Sequence, residues 1–288
     1  MIYVAGLIAY DYLFSVDSLP SPNASCYIKN YERYFGGAVG NTAYACSRLG
    51  VKTSLISIVG RDFSGSEYEK HLKKNNVGME HVHVIRNKKT PRAYMYIGPS
   101  GDFLSFFHWG AGEDFNRMKV PKLKLTDGDI IHITTGDPEF NMRLSEYGGI
   151  SFDPSYDTPL YNKTQLRRIL KNTKFLFCNR HEMNRINDIL DNCSPLDYGV
   201  EAIVMSEGSG GTVVKTSEKS IRVPAVNATV VDTIGAGDSH HAGFLCAYLR
   251  GETFKRCAQI ASAVASFVIE ERGAQTNVPT WRKALSRL

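Results

Sequence analysis

The chain has 288 residues, 43% hydrophobic and 22% charged, an ordinary globular composition with room for one main domain and an appendage. The formal charge of +5 sits on basic residues that come only in pairs, such as Lys73-Lys74, Lys88-Lys89 and Arg167-Arg168, so no basic stripe or recognised module marks a nucleic-acid face. Six scattered cysteines without a C-x-x-C pair exclude a disulfide framework and point to reduced, mostly buried thiols.

Met1-Ile2-Tyr3-Val4-Ala5-Gly6 lacks a basic flank and breaks at Gly6 and Asp11, which reads as a buried first strand and not as a signal peptide or membrane span. No later stretch reaches the roughly 18 apolar residues of a spanning helix, so a cytoplasmic protein without a membrane partner is expected. Residues 12–35 are rich in aromatic and β-prone residues, among them Tyr27, Tyr31, Tyr34 and Phe35, and contain no helical stretch. Gly36-Gly37-Ala38-Val39-Gly40-Asn41 then opens an amphipathic helix with Ala43, Cys46 and Leu49 on one face and Gly50 at its end. Glycines there let a hydroxylated ligand lie against the backbone, and Asn41 both donates and accepts hydrogen bonds. The apolar run at 55–59 completes a βαβ pattern with residues 2–6.

Residues 90–109 repeat the aromatic character of 12–35 with Tyr94, Tyr96, Phe103, Phe106, Phe107 and Trp109, on either side of the turn signal Gly98-Pro99-Ser100-Gly101-Asp102. The two segments read as a small β-sheet standing off the main domain, although the same aromatics are equally compatible with filling a core. Strand-like runs follow at 130–134, 150–153, 175–178, 202–205 and 212–215, mostly separated by helical segments such as 164–171 and 181–190. Strands alternating with helices predict a mainly parallel sheet covered on both faces, an α/β/α sandwich.

The sharpest feature is Asp232-Thr233-Ile234-Gly235-Ala236-Gly237-Asp238-Ser239, followed by a helical run with apolar Ala242, Leu245, Cys246 and Leu249 and a stop at Gly251. Small residues ahead of a helix let backbone N–H groups approach an anion, and the helix dipole adds partial positive charge. An Asp at that end is poised to accept a proton from an attacking hydroxyl while the N–H groups stabilise the transferred phosphoryl. Asp238 is therefore the candidate base and Gly235, Ala236 and Gly237 the candidate anion hole; a tight turn capped by Asp is the alternative. Gly50-Val51-Lys52-Thr53 is no Walker A loop, and neither a G-x-G-x-x-G fingerprint nor a protein-kinase motif pair occurs. His81, His83, His240 and His241 lack partners at metal-ligand spacing.

The motifs of residues 36–50 and 232–244 resemble the two signatures of the ribokinase family of carbohydrate and nucleoside kinases. The resemblance runs through Phe106-Phe107-His108-Trp109-Gly110-Ala111, residues 132–141, Ser151-Phe152-Asp153-Pro154 and residues 273–281, and it is nearest to archaeal nucleoside kinases of broad specificity. It implies one ribokinase-like domain over 1–288, with a β-lid from about 12–35 and 90–109 and with ATP and Mg²⁺ as cofactors. It implies that Asp11, at the end of the first strand, bonds the acceptor's sugar hydroxyls, with Gly36, Gly37, Asn41, Phe107 and Asp137 beside it. ATP is implied at Asn179, Glu182, Ser206, Gly208, Gly211 and Thr233, with Asn179 and Glu182 meeting Mg²⁺ or its waters; relatives usually carry Lys where this chain has Glu207. Lid aromatics favour a nucleoside 5′-hydroxyl as acceptor. A small-sugar kinase and a catalytically silent ligand-binding protein are the alternatives, and the resemblance implies a homodimer joined lid to lid.

Overall fold

The computed structural model describes residues 1–288. β1 (Ile2–Ala5) is buried at every position and ends at Gly6. The chain continues extended as β2 (Ala9–Val16), which pairs antiparallel with β3 (Ile28–Gly36). Gly37 then takes φ 79°, and α1 (Ala38–Arg48) begins. A Cβ at Gly37 would sit 2.3 Å from the Leu7 carbonyl oxygen, so this turn requires glycine on both conformational and contact grounds. α1 returns the chain to β4 (Thr53–Gly60), buried throughout and parallel to β1.

α2 (Glu67–Lys74), capped by the Ser66 hydroxyl, leads to β5 (Val77–Ile85) beside β4. β6 (Arg92–Ile97) and β7 (Phe103–His108) form the expected hairpin, closed by a bond from Gly98 N to Asp102 O. The main domain resumes with β8 (Ile130–Ile133), α3 (Pro138–Ser145), β9 (Ile150–Phe152) and α4 (Lys163–Leu170). β10 (Thr173–Asn179), α5 (Arg180–Ile189) and β11 (Ala202–Ser206) continue the alternation. β12 (Thr212–Lys215) and β13 (Ser220–Val223) add an antiparallel hairpin at the edge. Three helices close the chain: α6 (Ala236–Tyr248), α7 (Phe254–Val268) and α8 (Trp281–Leu285).

The large sheet has nine strands in the order β13-β12-β11-β10-β9-β8-β1-β4-β5. Its strands alternate strictly between two cores. Ile2, Val4, Phe175 and Phe177 pack toward α1, α6 and α7, whereas Tyr3, Ala5, Leu176 and Cys178 pack toward α3, α4 and α5. This is the expected α/β/α sandwich. β5 and β13 are additions that the sequence pattern did not reveal, since both are edge strands with broken apolar runs. All six cysteines are free, four of them buried. No helix is long and apolar enough to cross a membrane.

The second sheet has the order β3-β2-β6-β7 and begins at Ala9, three residues before the expected boundary. This corrects the position of Asp11, which lies not at the end of β1 but third in β2. The cause is Gly6: with φ 151° it lets the chain leave the large sheet without a helix and enter the small one still extended. Pairing aligns Tyr34, Asp11, Ala93 and Phe107 in one row across this sheet, so Phe107 shares the face of Asp11. The next row carries Arg33, Tyr12, Tyr94 and Phe106 on the opposite face. There Tyr12 stacks on Tyr94 at 5.3 Å and Phe14 on Tyr96 at 4.8 Å.

α6, which carries Asp238, is held by its contact with α7. A Cβ at Gly243 would stand 2.8 Å from the Ala261 Cα. Gly243→Val should therefore force the two helices apart and lower unfolding free energy by roughly 1–3 kcal/mol in guanidinium titration. An unchanged midpoint would contradict this account of the α6–α7 contact.

Candidate active site

The start of α6 is fixed by the loop before it. The Asp232 carboxylate accepts from Ile234 N and from Gly273 N, each at 3.0 Å, tying the loop to the segment after α7. Gly235 takes φ 78°, and a Cβ there would lie 2.3 Å from the Ala274 Cβ, so no other residue fits. At Gly237 a Cβ would meet nothing within 4 Å, so protein packing does not demand a glycine there. Asp238 falls in the first turn of α6, where the helix field favours its ionised form.

Burial nevertheless pushes the Asp238 carboxyl up to about 6, and the hydrogen bond from Asn41 Nδ2 to its Oδ2, at 2.8 Å, opposes that rise. Asn41 comes from α1, so the two glycine-rich helix starts meet here. Asp11 reaches the same place from β2. It is 6% exposed and pushed up to about 7, first by burial and then by the charges of Asp238 and Asp232. A Cβ at Gly36 would lie 2.0 Å from an Asp11 carboxylate oxygen, so glycine alone can pass beside it. Asp11, Gly36, Gly37, Asn41 and Asp238 thus converge as expected. Phe107 faces the same side from β7 and is 45% exposed.

Asp137 is engaged in a helix cap. Its carboxylate caps α3 by accepting from Phe140 N at 2.9 Å, and no hydrogen bond or ion pair joins it to Asp11 or Asp238.

The residues expected at ATP lie at the carboxyl ends of β10 and β11, the edge of a parallel sheet where ligands bind. Asn179 and Glu182 form a reciprocal capping box: Asn179 Oδ1 accepts from Glu182 N at 2.8 Å, and Glu182 Oε2 accepts from Asn179 N at 2.7 Å. Ser206 ends β11. Gly208 has φ 56° and Gly211 φ 89°, and a Cβ at Gly211 would strike the Val223 carbonyl oxygen at 2.1 Å. Thr233 is exposed just ahead of α6. Glu207 is buried between Arg180, at 2.5 Å, and Arg222, and the two guanidiniums hold its carboxyl low.

Asp153 had no role assigned from sequence beyond its motif. It lies just past β9, buried, accepting from Ser155 N at 3.0 Å, with His241 Nδ1 3.5 Å away. Burial raises its carboxyl well above the usual range, and the charges of Glu182 and Asp238 add to this, so these three carboxyls share one acidic neighbourhood. No group of three His, Cys, Asp or Glu is close enough to cage a metal. The carboxyls of Asp153 and Glu182 fit Mg²⁺, which keeps waters and phosphate oxygens as ligands and takes one or two carboxylates. Tyr68 and Gln275 also had no role assigned: Tyr68 lies in no motif, and Gln275 only in the stretch 273–281 that carries the resemblance. Tyr68 OH donates to Gly36 O at 2.8 Å, and Gln275 Nε2 reaches both Tyr68 OH and Asn41 Oδ1.

A half-buried carboxylate at a helix start, near a second, buried carboxylate, is equipped to deprotonate an alcohol beside an anion site. Known proteins resemble the chain throughout its length. It is 41% identical to the nucleoside kinase of Methanocaldococcus jannaschii, over 98% of the chain and 95% of that relative. It is 38% identical to the nucleoside kinase of Methanothermobacter thermautotrophicus, over 98% and 93%. The crystal structure of the M. jannaschii nucleoside kinase, an archaeal member of the ribokinase family, superposes with a TM-score of 0.94 over 99% of this chain and 97% of that one, at 40% identity. The model of the pfkB family of carbohydrate kinases matches residues 1–281, and the chain belongs to that family.

Proposed function

We propose that this protein transfers the γ-phosphoryl group of ATP to the 5′-hydroxyl of a nucleoside, with Asp238 as the general base. The observation that carries this reading is the convergence of Asp11 and Asp238, one carboxylate to hold sugar hydroxyls and one at a helix start to accept the proton. The names of the two relatives at 41% and 38% identity favour a nucleoside over a free sugar. Phe107, on the face of Asp11, supplies an aromatic wall for a nucleobase.

In this reading the ribose lies over Gly36 and Gly37 with its hydroxyls on Asp11 and Asn41. Asp238 takes the proton of the attacking hydroxyl. The N–H groups at Gly235 and Gly237 face the transferred phosphoryl, whereas that of Ala236 donates to the Thr233 carbonyl at 3.2 Å, and the open space at Gly237 leaves room for the phosphoryl. Mg²⁺ neutralises charge on the ATP phosphates when bound. Glu182 and Asn179 are the residues that would hold it, with the oxygen lone pairs left over from their capping box. Ser206, Gly208, Gly211 and Thr233 border the nucleotide. Glu207 makes no phosphate contact of its own; it draws Arg180 and Arg222 to the ends of β10 and β11, where they supply the positive charge.

The lid serves two purposes in this proposal. Phe103, Phe106, Phe107 and Leu104 on edge strand β7 are all exposed, as is Tyr31 on β3, the other edge. An uncovered strand of this kind invites pairing with a second copy. We place a homodimer contact here, with closure over the acceptor excluding water.

Turnover should be highest with nucleosides in a coupled ADP-release assay against nucleosides, pentoses and hexoses, and Asp238→Asn should lower it by roughly 10²–10⁴. Because the base must be ionised and its carboxyl sits at about 6, kcat/KM should fall as pH drops through that value. A variant within tenfold of the parent, or a pentose as the best acceptor, would overturn the respective assignment. Light scattering should give twice the chain mass for the parent and a smaller mass for Phe106→Asp; a monomeric parent at micromolar concentration would remove the dimer.

A further inference from the structure

We infer that Gln275 is a positioning residue for the base, fixing the Asn41 amide so that a donor and not an acceptor faces the Asp238 carboxylate. The inference rests on Asp238 being the base proposed above. An asparagine amide offers both an oxygen and an NH₂ group, and nothing in Asn41 itself decides which end meets Asp238. The decision comes from a backbone carbonyl 32 residues from Tyr68 in sequence.

Gly36 O can only accept, so the single hydrogen of Tyr68 OH is committed to it at 2.8 Å. The Tyr68 oxygen is left to accept, and its partner at 2.7 Å must be the NH₂ end of Gln275. The second hydrogen of that NH₂ group goes to Asn41 at 2.9 Å, which must present its oxygen. The Asn41 NH₂ group is then left for Asp238 Oδ2 at 2.8 Å. Reversing either amide would set two oxygens against each other, or leave the tyrosine oxygen without a donor.

The chain of bonds is sealed from water: Tyr68, Asn41 and Gln275 are 0%, 5% and 7% exposed. In such surroundings a misdirected partner is costly. Gln275 keeps both N–H groups engaged, and its Oε1 is left toward the His71 ring, whose proton it favours. Gly40 makes room for the arrangement, since a Cβ there would stand 2.0 Å from Tyr68 OH. The same carbonyl belongs to Gly36, which passes beside Asp11, so the relay joins the acceptor-binding turn to the base.

The other titratable groups felt around Asp238 are Asp11 from β2, Asp153 after β9, Tyr156 beyond it and Tyr68 from α2. None of them hydrogen-bonds its carboxylate; Asn41 is the side-chain donor there. Loss of the relay is therefore read at Asp238 as a shift in its titration.

The test follows the carboxyl carbon of Asp238 by ¹³C NMR during pH titration of the protein without substrate, assigned with Asp238→Asn, alongside the pH profile of kcat/KM. Gln275→Leu should raise the midpoint and the acid limb by about one pH unit. Gln275→Glu, which offers oxygens only and adds charge, should raise them further. Tyr68→Phe should shift both the same way, although Tyr68 has no hydrogen bond to Asn41 or Asp238. Midpoints equal to the parent's in folded Gln275 variants would overturn the inference, and should the leucine variant fail to fold, the near-isosteric glutamate and the Tyr68→Phe variant decide it. A parent that titrates as expected but phosphorylates no nucleoside would overturn the functional reading alone, because the NMR midpoints report the orientation of Asn41 without turnover.

Discussion

Two carboxylates within reach of each other's charge, one buried and one half-buried, are the constraint around which this molecule is arranged. The charge of Asp238 makes ionising the buried Asp11 harder. Each therefore sits higher than an ordinary aspartate. That costs stability in the empty protein, and it is tolerable only because the helix start and Asn41 favour the ionised Asp238. A ligand that brings hydroxyl donors to Asp11 relieves the remainder.

The rest of the fold serves to bring these groups together from distant parts of the chain. Asp11 arrives on the small sheet, Asn41 on the first helix and Asp238 on the sixth, 197 residues after Asn41. Glycines at 36, 37 and 235 are the points where the backbones pass too closely for any side chain, and each would clash with a specific atom if replaced. The strand that carries Asp11 pairs with both β3 and β6, so any movement of the small sheet would carry that carboxylate with it.

The alternation of strands and helices was legible in the sequence because buried strands read as short apolar runs, and so was the hairpin at Gly98-Pro99-Ser100-Gly101-Asp102. The two glycine-rich helix starts were legible because phosphate and close backbone approach demand small residues at fixed spacing. What lay beyond reach is relational. Asp11 was identified as a residue but placed on the wrong strand, since Gly6 breaks a pattern without saying where the chain goes next. Asn179 and Glu182 form the capping box that their spacing allowed, with only part of their oxygen capacity left for other partners. Gln275 and Tyr68 are ordinary residues until the fold sets them between Gly36 and Asn41, and Glu207 is an unexplained acid until Arg180 and Arg222 close around it.

The central claim is that a nucleoside's 5′-oxygen is the one delivered to Asp238, and the position of the phosphate on the product decides it most directly. Phosphorus NMR of the product formed from ATP and a ribonucleoside should give a phosphomonoester signal split into a triplet by the two protons on C5′. A doublet, from phosphate on the 2′- or 3′-oxygen, or a phosphomonoester formed on free sugars but on no nucleoside, would contradict the account.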